Sequence, residues 1–80
     1  MKRDDLRVLV AEILEADPAT LRSDLELTSL DNFDSVMLLS LMIRLDEEAG
    51  IKMTPADVPD LRTYGDIEAL ATRQGISLTD

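Results

Sequence analysis

Eighty residues, 45% apolar and 31% charged, allow one small folded unit whose core must come from aliphatic side chains, because Phe33 and Tyr64 are the only aromatic residues. Seventeen acidic against eight basic residues give a formal charge of -9, a field that repels phosphate backbones and excludes nucleic acid while attracting basic protein surfaces. With no Cys, no apolar run long enough for a bilayer, and a charged start, "MKRDDLRVLV", unlike a secretory signal, a soluble cytoplasmic monomer is expected, with no membrane partner.

In chain order, Leu6, Leu9, Val10 and Ile13 recur at helical spacing, so a first amphipathic helix is expected from about Asp4 to Ala16. Asp17-Pro18 closes it, since the residue before Pro avoids helical backbone. The stretch from Asp17 to Asp34 is long for a connection in a small unit, but Leu21, Leu25, Leu27, Leu30 and Phe33 recur along it and should pin it to the core. A second helix runs from Ser35 to Ala49, stopped by Gly50 and followed by apolar Ile51. "TPADVPD" reads as a short third helix with Thr54 as cap and Pro55 at its first position, limited by Pro59 to a turn or two. A last helix starts after Thr63, where Thr63-x-x-Asp66 is a capping-box variant. It buries Tyr64, Ile67, Leu70 and Ala71 and stops near Gly75. The expectation is all-α: a small four-helix bundle, three main helices and one short third helix, forming one domain over residues 1–80.

The second helix is more apolar than one buried face requires. Leu38, Leu41, Met42, Leu45 and Ala49 form an inner stripe with Leu39 beside it, while Ser40, Arg44 and Glu47 mark the outer face. Val36, Met37 and Ile43 fall toward that outer arc, an apolar patch near Asp34, Asp46, Glu47 and Glu48 that suits docking of a partner. Ser35 stands at the helix start. Asp34 can take the capping role, leaving the Ser35 hydroxyl facing solvent at a helix end that favours a phosphate ester. Catalysis by Ser35 is not expected, because the chain has neither His nor Cys to pair with it. "DNFDSVMLLSLM" fails as a calcium loop, with Val36 and Met42 at positions that need Gly and Glu.

Asp34-Ser35-Val36, an acidic loop before it, an apolar helix ending "LDEEAGI", and "TYGDIEAL" opening the last helix together resemble the acyl carrier proteins over nearly the whole chain. That resemblance implies a phosphopantetheinyl transferase that esterifies Ser35 with 4'-phosphopantetheine from coenzyme A, using magnesium. It further implies a thioester-bearing arm that acyl-loading, condensing and acyl-transferring enzymes share, and a chain that is itself no enzyme. Docking is expected through Val36, Met37, Ser40, Ile43, Arg44, Asp46, Glu47 and Glu48.

Departures from the family pattern narrow the pathway. Asn32 stands where Gly is usual and Val36 where Leu is usual. Met37, Ser40 and Arg44 occupy positions where fatty-acid carriers often have acidic or small residues. A dedicated carrier of polyketide or mixed peptide-polyketide synthesis is therefore expected, although the Gly-Gly-x-Ser pattern of peptidyl carriers is absent; a D-alanyl carrier is a further reading. The rival class is an unmodified helical interaction domain that uses the Val36/Met37/Ile43 patch.

Overall fold

A computed structural model describes residues 1–31 and 33–80; the Asn32 position singled out above lies outside the described residues. Three α-helices form the frame: α1 (Arg3–Leu14), α2 (Ser35–Ala49) and α3 (Tyr64–Arg73). Among the described residues no strand occurs, only two isolated bridges. The all-α bundle is as expected from the pattern, with its short third element reduced to one 3₁₀ turn, Val58–Asp60.

The core is aliphatic around one phenol ring. Leu6, Val10, Ala11, Ile13 and Leu14 of α1 meet Leu41 and Leu45 of α2 and Tyr64, Ile67, Leu70 and Ala71 of α3. Leu21, Leu27, Ile51, Met53 and Leu61 are equally buried and come from the connections. At about 1.5–3 kcal/mol for each large side chain buried, these five hold the connections down. The 15–34 segment is thus docked, with 3₁₀ turns at Pro18–Thr20 and Leu27–Ser29.

Backbone bonds stitch that segment to the start of α3. The Leu27 N–H donates to the Arg62 carbonyl (3.0 Å), the Tyr64 N–H to the Leu25 carbonyl (3.0 Å) and the Gly65 N–H to the Ser23 carbonyl (3.0 Å). Gly65 is there for space: a Cβ on it would lie 2.8 Å from the Ser23 oxygen. On the other side, the Gln74 side chain clamps the Lys52 peptide, accepting from its N–H (2.7 Å) and donating to its carbonyl.

Two local expectations change. α1 ends at Leu14, short of Ala16, because Glu15 turns left-handed (φ 54°) and its N–H closes onto the carbonyls of Ala11 and Glu12. Asp17 then serves the next turn, its carboxylate accepting the Ala19 N–H at 2.9 Å. In "TPADVPD" the polarity of the cap is reversed. Asp57 accepts from both the N–H (2.9 Å) and the hydroxyl (3.0 Å) of Thr54, which holds the Asp57 carboxyl below its ordinary pKa and leaves Thr54 a donor.

Candidate functional site at the head of α2

Ser35 is the first residue of α2 and is exposed. Asp34, in extended backbone, caps the helix by accepting the Met37 N–H at 2.8 Å. The Leu38 N–H bonds to the Asp34 carbonyl at 2.9 Å. This leaves the N–H groups of Ser35 and Val36 without an intrahelical acceptor, the usual state of a helix's first turn. They make a small positive end beside the Ser35 hydroxyl. Among the described residues the Ser35 side chain makes no hydrogen bond. No Lys or Arg lies between Asp24 and Ile43, so α2 offers an incoming anion only its backbone.

The outer face of α2 carries an apolar stripe whose membership differs from the sequence expectation. Val36 (73% exposed) and Ile43 (49%) are on it, and the third member is Leu39 (55%). Met37 is half-buried and packs against the core with Leu38, Met42 and Ala49. The two residues exchange places because α2 turns Leu41 and Leu45 squarely inward. Residues 36, 39 and 43 then share the opposite side at helical spacing. Ser40 and Arg44 are half-buried beside the stripe.

The charges around the stripe are partly spent. Arg44 donates to Glu48 at 2.9 Å along the helix, and Asp46 pairs with Lys52 at 3.3 Å. Among the described residues Glu47 is exposed without an ion pair, as are Asp31 and Asp34 near the helix head. Leu39 was hidden from sequence reasoning because a wheel gives relative angles and not the direction of the core. The only available signal was the pair Leu41/Leu45 at i, i+4. Among the described residues no three acidic side chains converge in a way that could hold a metal ion. No helix among them is long and apolar enough to cross a membrane.

Comparison with known proteins places this geometry in context. Residues 4–71 match the family model described as a phosphopantetheine attachment site. The chain is similar to polyketide-8 synthase acyl carrier protein 2 of Streptomyces avermitilis, 29% identical over 76 residues, covering 94% of this chain and 87% of that one. It is also similar to an acyl carrier protein of Chlamydia caviae, 32% identical over 73 residues, covering 90% and 95%. With the attachment-site model spanning most of its length, the chain belongs to the acyl carrier protein family, whose cofactor is phosphopantetheine and whose members are carriers rather than catalysts.

Proposed function

We propose that Ser35 bears the 4'-phosphopantetheine arm, and that residues 1–80 act as one cytoplasmic, monomeric carrier domain in polyketide or mixed peptide-polyketide synthesis. The observation that carries the assignment is the exposed Ser35 hydroxyl at the first position of α2, with Asp34 doing the capping that a serine at this junction would otherwise do. The residues present fit a phosphate ester. The side chain is unobstructed by a hydrogen bond, and two backbone N–H groups point past it, which favours negative charge there by about 0.3–1 kcal/mol. When bound, the arm supplies a thiol that holds acyl groups as thioesters.

The chain's own part is placement. Ser35 presents its oxygen to the transferase, and the chain has no His or Cys to take the proton, so the base belongs to the partner. Family membership implies that transferase and biosynthetic enzymes as partners. Acyl-loading, condensing and acyl-transferring enzymes would dock on Val36, Leu39 and Ile43, with Ser40, Arg44, Asp46, Glu47 and Glu48 at the rim and Met37 behind it. The apolar character of this face supports a dedicated pathway, as does the name of the Streptomyces relative.

The test is intact mass after incubation with coenzyme A, magnesium and a broad-specificity transferase. One phosphopantetheine should be added to the native protein and none to Ser35→Ala. A gain that survives Ser35→Ala refutes the site. No gain with several transferases refutes the function and returns the chain to the unmodified interaction class.

A further inference from the structure

A cleft of about 450 Å³ opens between the 26–28 segment and the head of α3, lined by Glu26, Thr28, Leu61, Arg62, Thr63 and Asp66. That volume lies within the range of small-molecule sites, roughly 300–1,000 Å³. Its walls are braced by the Leu27–Arg62 and Tyr64–Leu25 backbone bonds. Asp66 is committed to the fold: its carboxylate accepts the N–H groups of Thr63 and Arg62 at 2.9 Å each. Leu61 is buried and supplies an apolar floor. The remaining three groups are different. Among the described residues the Glu26 carboxylate, the Thr28 hydroxyl and the Arg62 guanidinium have no hydrogen-bond or ion-pair partner, although Glu26 and Arg62 carry opposite charges at one cleft.

We infer that this cleft receives the load at the end of the Ser35 arm, and that the load it suits is a neutral acyl chain with carbonyl and hydroxyl oxygens along its length. The inference rests on the Ser35 reading above and names the class of cargo. Arg62 offers several N–H donors for carbonyl oxygens, Glu26 accepts from hydroxyls, and Thr28 does either. Leu61 packs against the carbons between them. A plain aliphatic chain would strip water from Arg62 and Glu26 and return no hydrogen bond. An anionic load would meet two carboxylates against one guanidinium. An aminoacyl group would bring its ammonium against Arg62. Seven residues separate Thr28 from Ser35, and extended chain spans at most about 3.6 Å per residue, so their Cα atoms lie within about 25 Å.

The experiment loads isotopically labelled protein, through the transferase, with three arms joined to their cargo by non-hydrolysable amides: octanoyl, 3,5-dihydroxyoctanoyl and alanyl. Amide shifts are read by NMR, and the mass and position of each load are fixed by digestion. The dihydroxy load should move the amides of Thr28, Arg62, Thr63 and Asp66, and the octanoyl load should leave them near their unloaded positions. Arg62→Met, at an exposed position, should reduce the dihydroxy shifts to the octanoyl level. Glu26→Gln, which still accepts hydrogen bonds, should retain most of them. Equal shifts from octanoyl, larger shifts from alanyl, or dihydroxy shifts confined to other residues overturn the inference while leaving the Ser35 assignment standing. A load attached anywhere but Ser35, or none attached, overturns both.

Discussion

Replacing Tyr64 by Phe removes one oxygen from the middle of the protein and nothing else. Tyr64 is fully buried at the first position of α3. Its Oη has no hydrogen-bond partner among the described residues, and neither has the Oε2 atom of Glu68 one turn further on. Burial, and then the negative charge of Glu68, raise the phenol's pKa above its ordinary 10.0; the Arg7 guanidinium, 5.9 Å from the ring centre, opposes this only in part. The sign follows from proton counts. Below pH 10 both folded and unfolded chains hold the proton, so Tyr64 adds no pH dependence. Above pH 10 the unfolded chain releases it first, so stability falls as pH rises, by about 1.4 kcal/mol per unit once the unfolded phenol is fully ionised. Relative to Tyr64→Phe, the native protein should lose about 0.4 kcal/mol by pH 10 and about 1.4 kcal/mol by pH 11.

Urea unfolding followed by far-UV circular dichroism measures this difference directly. All other titrating groups are common to the two proteins and cancel. With a slope near about 1 kcal/mol per molar urea for a small chain, the midpoints should diverge by roughly 1 M between pH 8 and pH 11. Tyr64 is the only Tyr and there is no Trp, so tyrosinate absorbance reports this residue alone and should not rise at pH 10 while the protein stays folded. At pH 7 the Phe variant should be as stable as the native protein or slightly more so, because an unpaired buried oxygen contributes nothing favourable. Midpoints that run parallel through pH 11, or a Phe variant destabilised by more than about 1 kcal/mol at pH 7, would show that the hydroxyl has a partner and that the reasoning is wrong.

Three other outcomes are expected. Gly65→Ala should cost about 1–3 kcal/mol by overpacking against the Ser23 carbonyl, whereas Gly50→Ala, with nothing within 4 Å but φ at 68°, should cost only the left-handed strain of about 1–2 kcal/mol; thermal midpoints of both variants check this. Leu39→Glu should keep helical circular dichroism and midpoint near native values yet slow acyl transfer to a partner enzyme, while Leu41→Glu, fully buried two residues on, should unfold. Asp66, held below the usual carboxylate range by the N–H groups of Thr63 and Arg62, contributes stability that is present above its unfolded pKa of about 3.8 and lost as pH falls through the lower folded value. Asp66→Asn should therefore be less stable at pH 7 and show a flatter acid limb in urea titrations from pH 6 to pH 2.

Helix ends written in backbone chemistry were legible. Asp34 before Ser35, Gly50 after Ala49, and Thr63 with Asp66 each satisfy specific N–H or carbonyl groups, and those residues do so here. Glu15 was not legible as a stop, because nothing local favours Glu in left-handed backbone; the choice comes from how α1 and the following turn meet the core. The Thr54–Asp57 turn was readable in composition and ambiguous in direction, since a hydroxyl both donates and accepts. The Met37/Leu39 exchange depends on the rotation of α2 against α1, a tertiary quantity that a helical wheel does not contain. The cleft was beyond reach for a related reason: Glu26 and Arg62 become neighbours only through the bridge between Glu26 and Thr63.

The two ends of the proposed arm are treated very differently by the chain, and that asymmetry suits a carrier. At Ser35, α2 provides two free N–H groups and no cation, with Asp31 and Asp34 exposed nearby. Attraction from the backbone is about 0.3–1 kcal/mol and screened by water, and the acids oppose it. A phosphate ester there would be tolerated and not gripped, so its orientation is left to whichever enzyme docks on Val36, Leu39 and Ile43. Had an Arg been placed one turn into α2, it would have pinned the phosphate by charge-assisted hydrogen bonds of roughly 1.5–3 kcal/mol and fixed the arm against the carrier. The one cation on α2, Arg44, lies beyond Ile43 and is already paired with Glu48. Unpaired charge is found instead at Arg62 and Glu26 in the cleft, where gripping the cargo protects a reactive chain without hindering docking at the helix head.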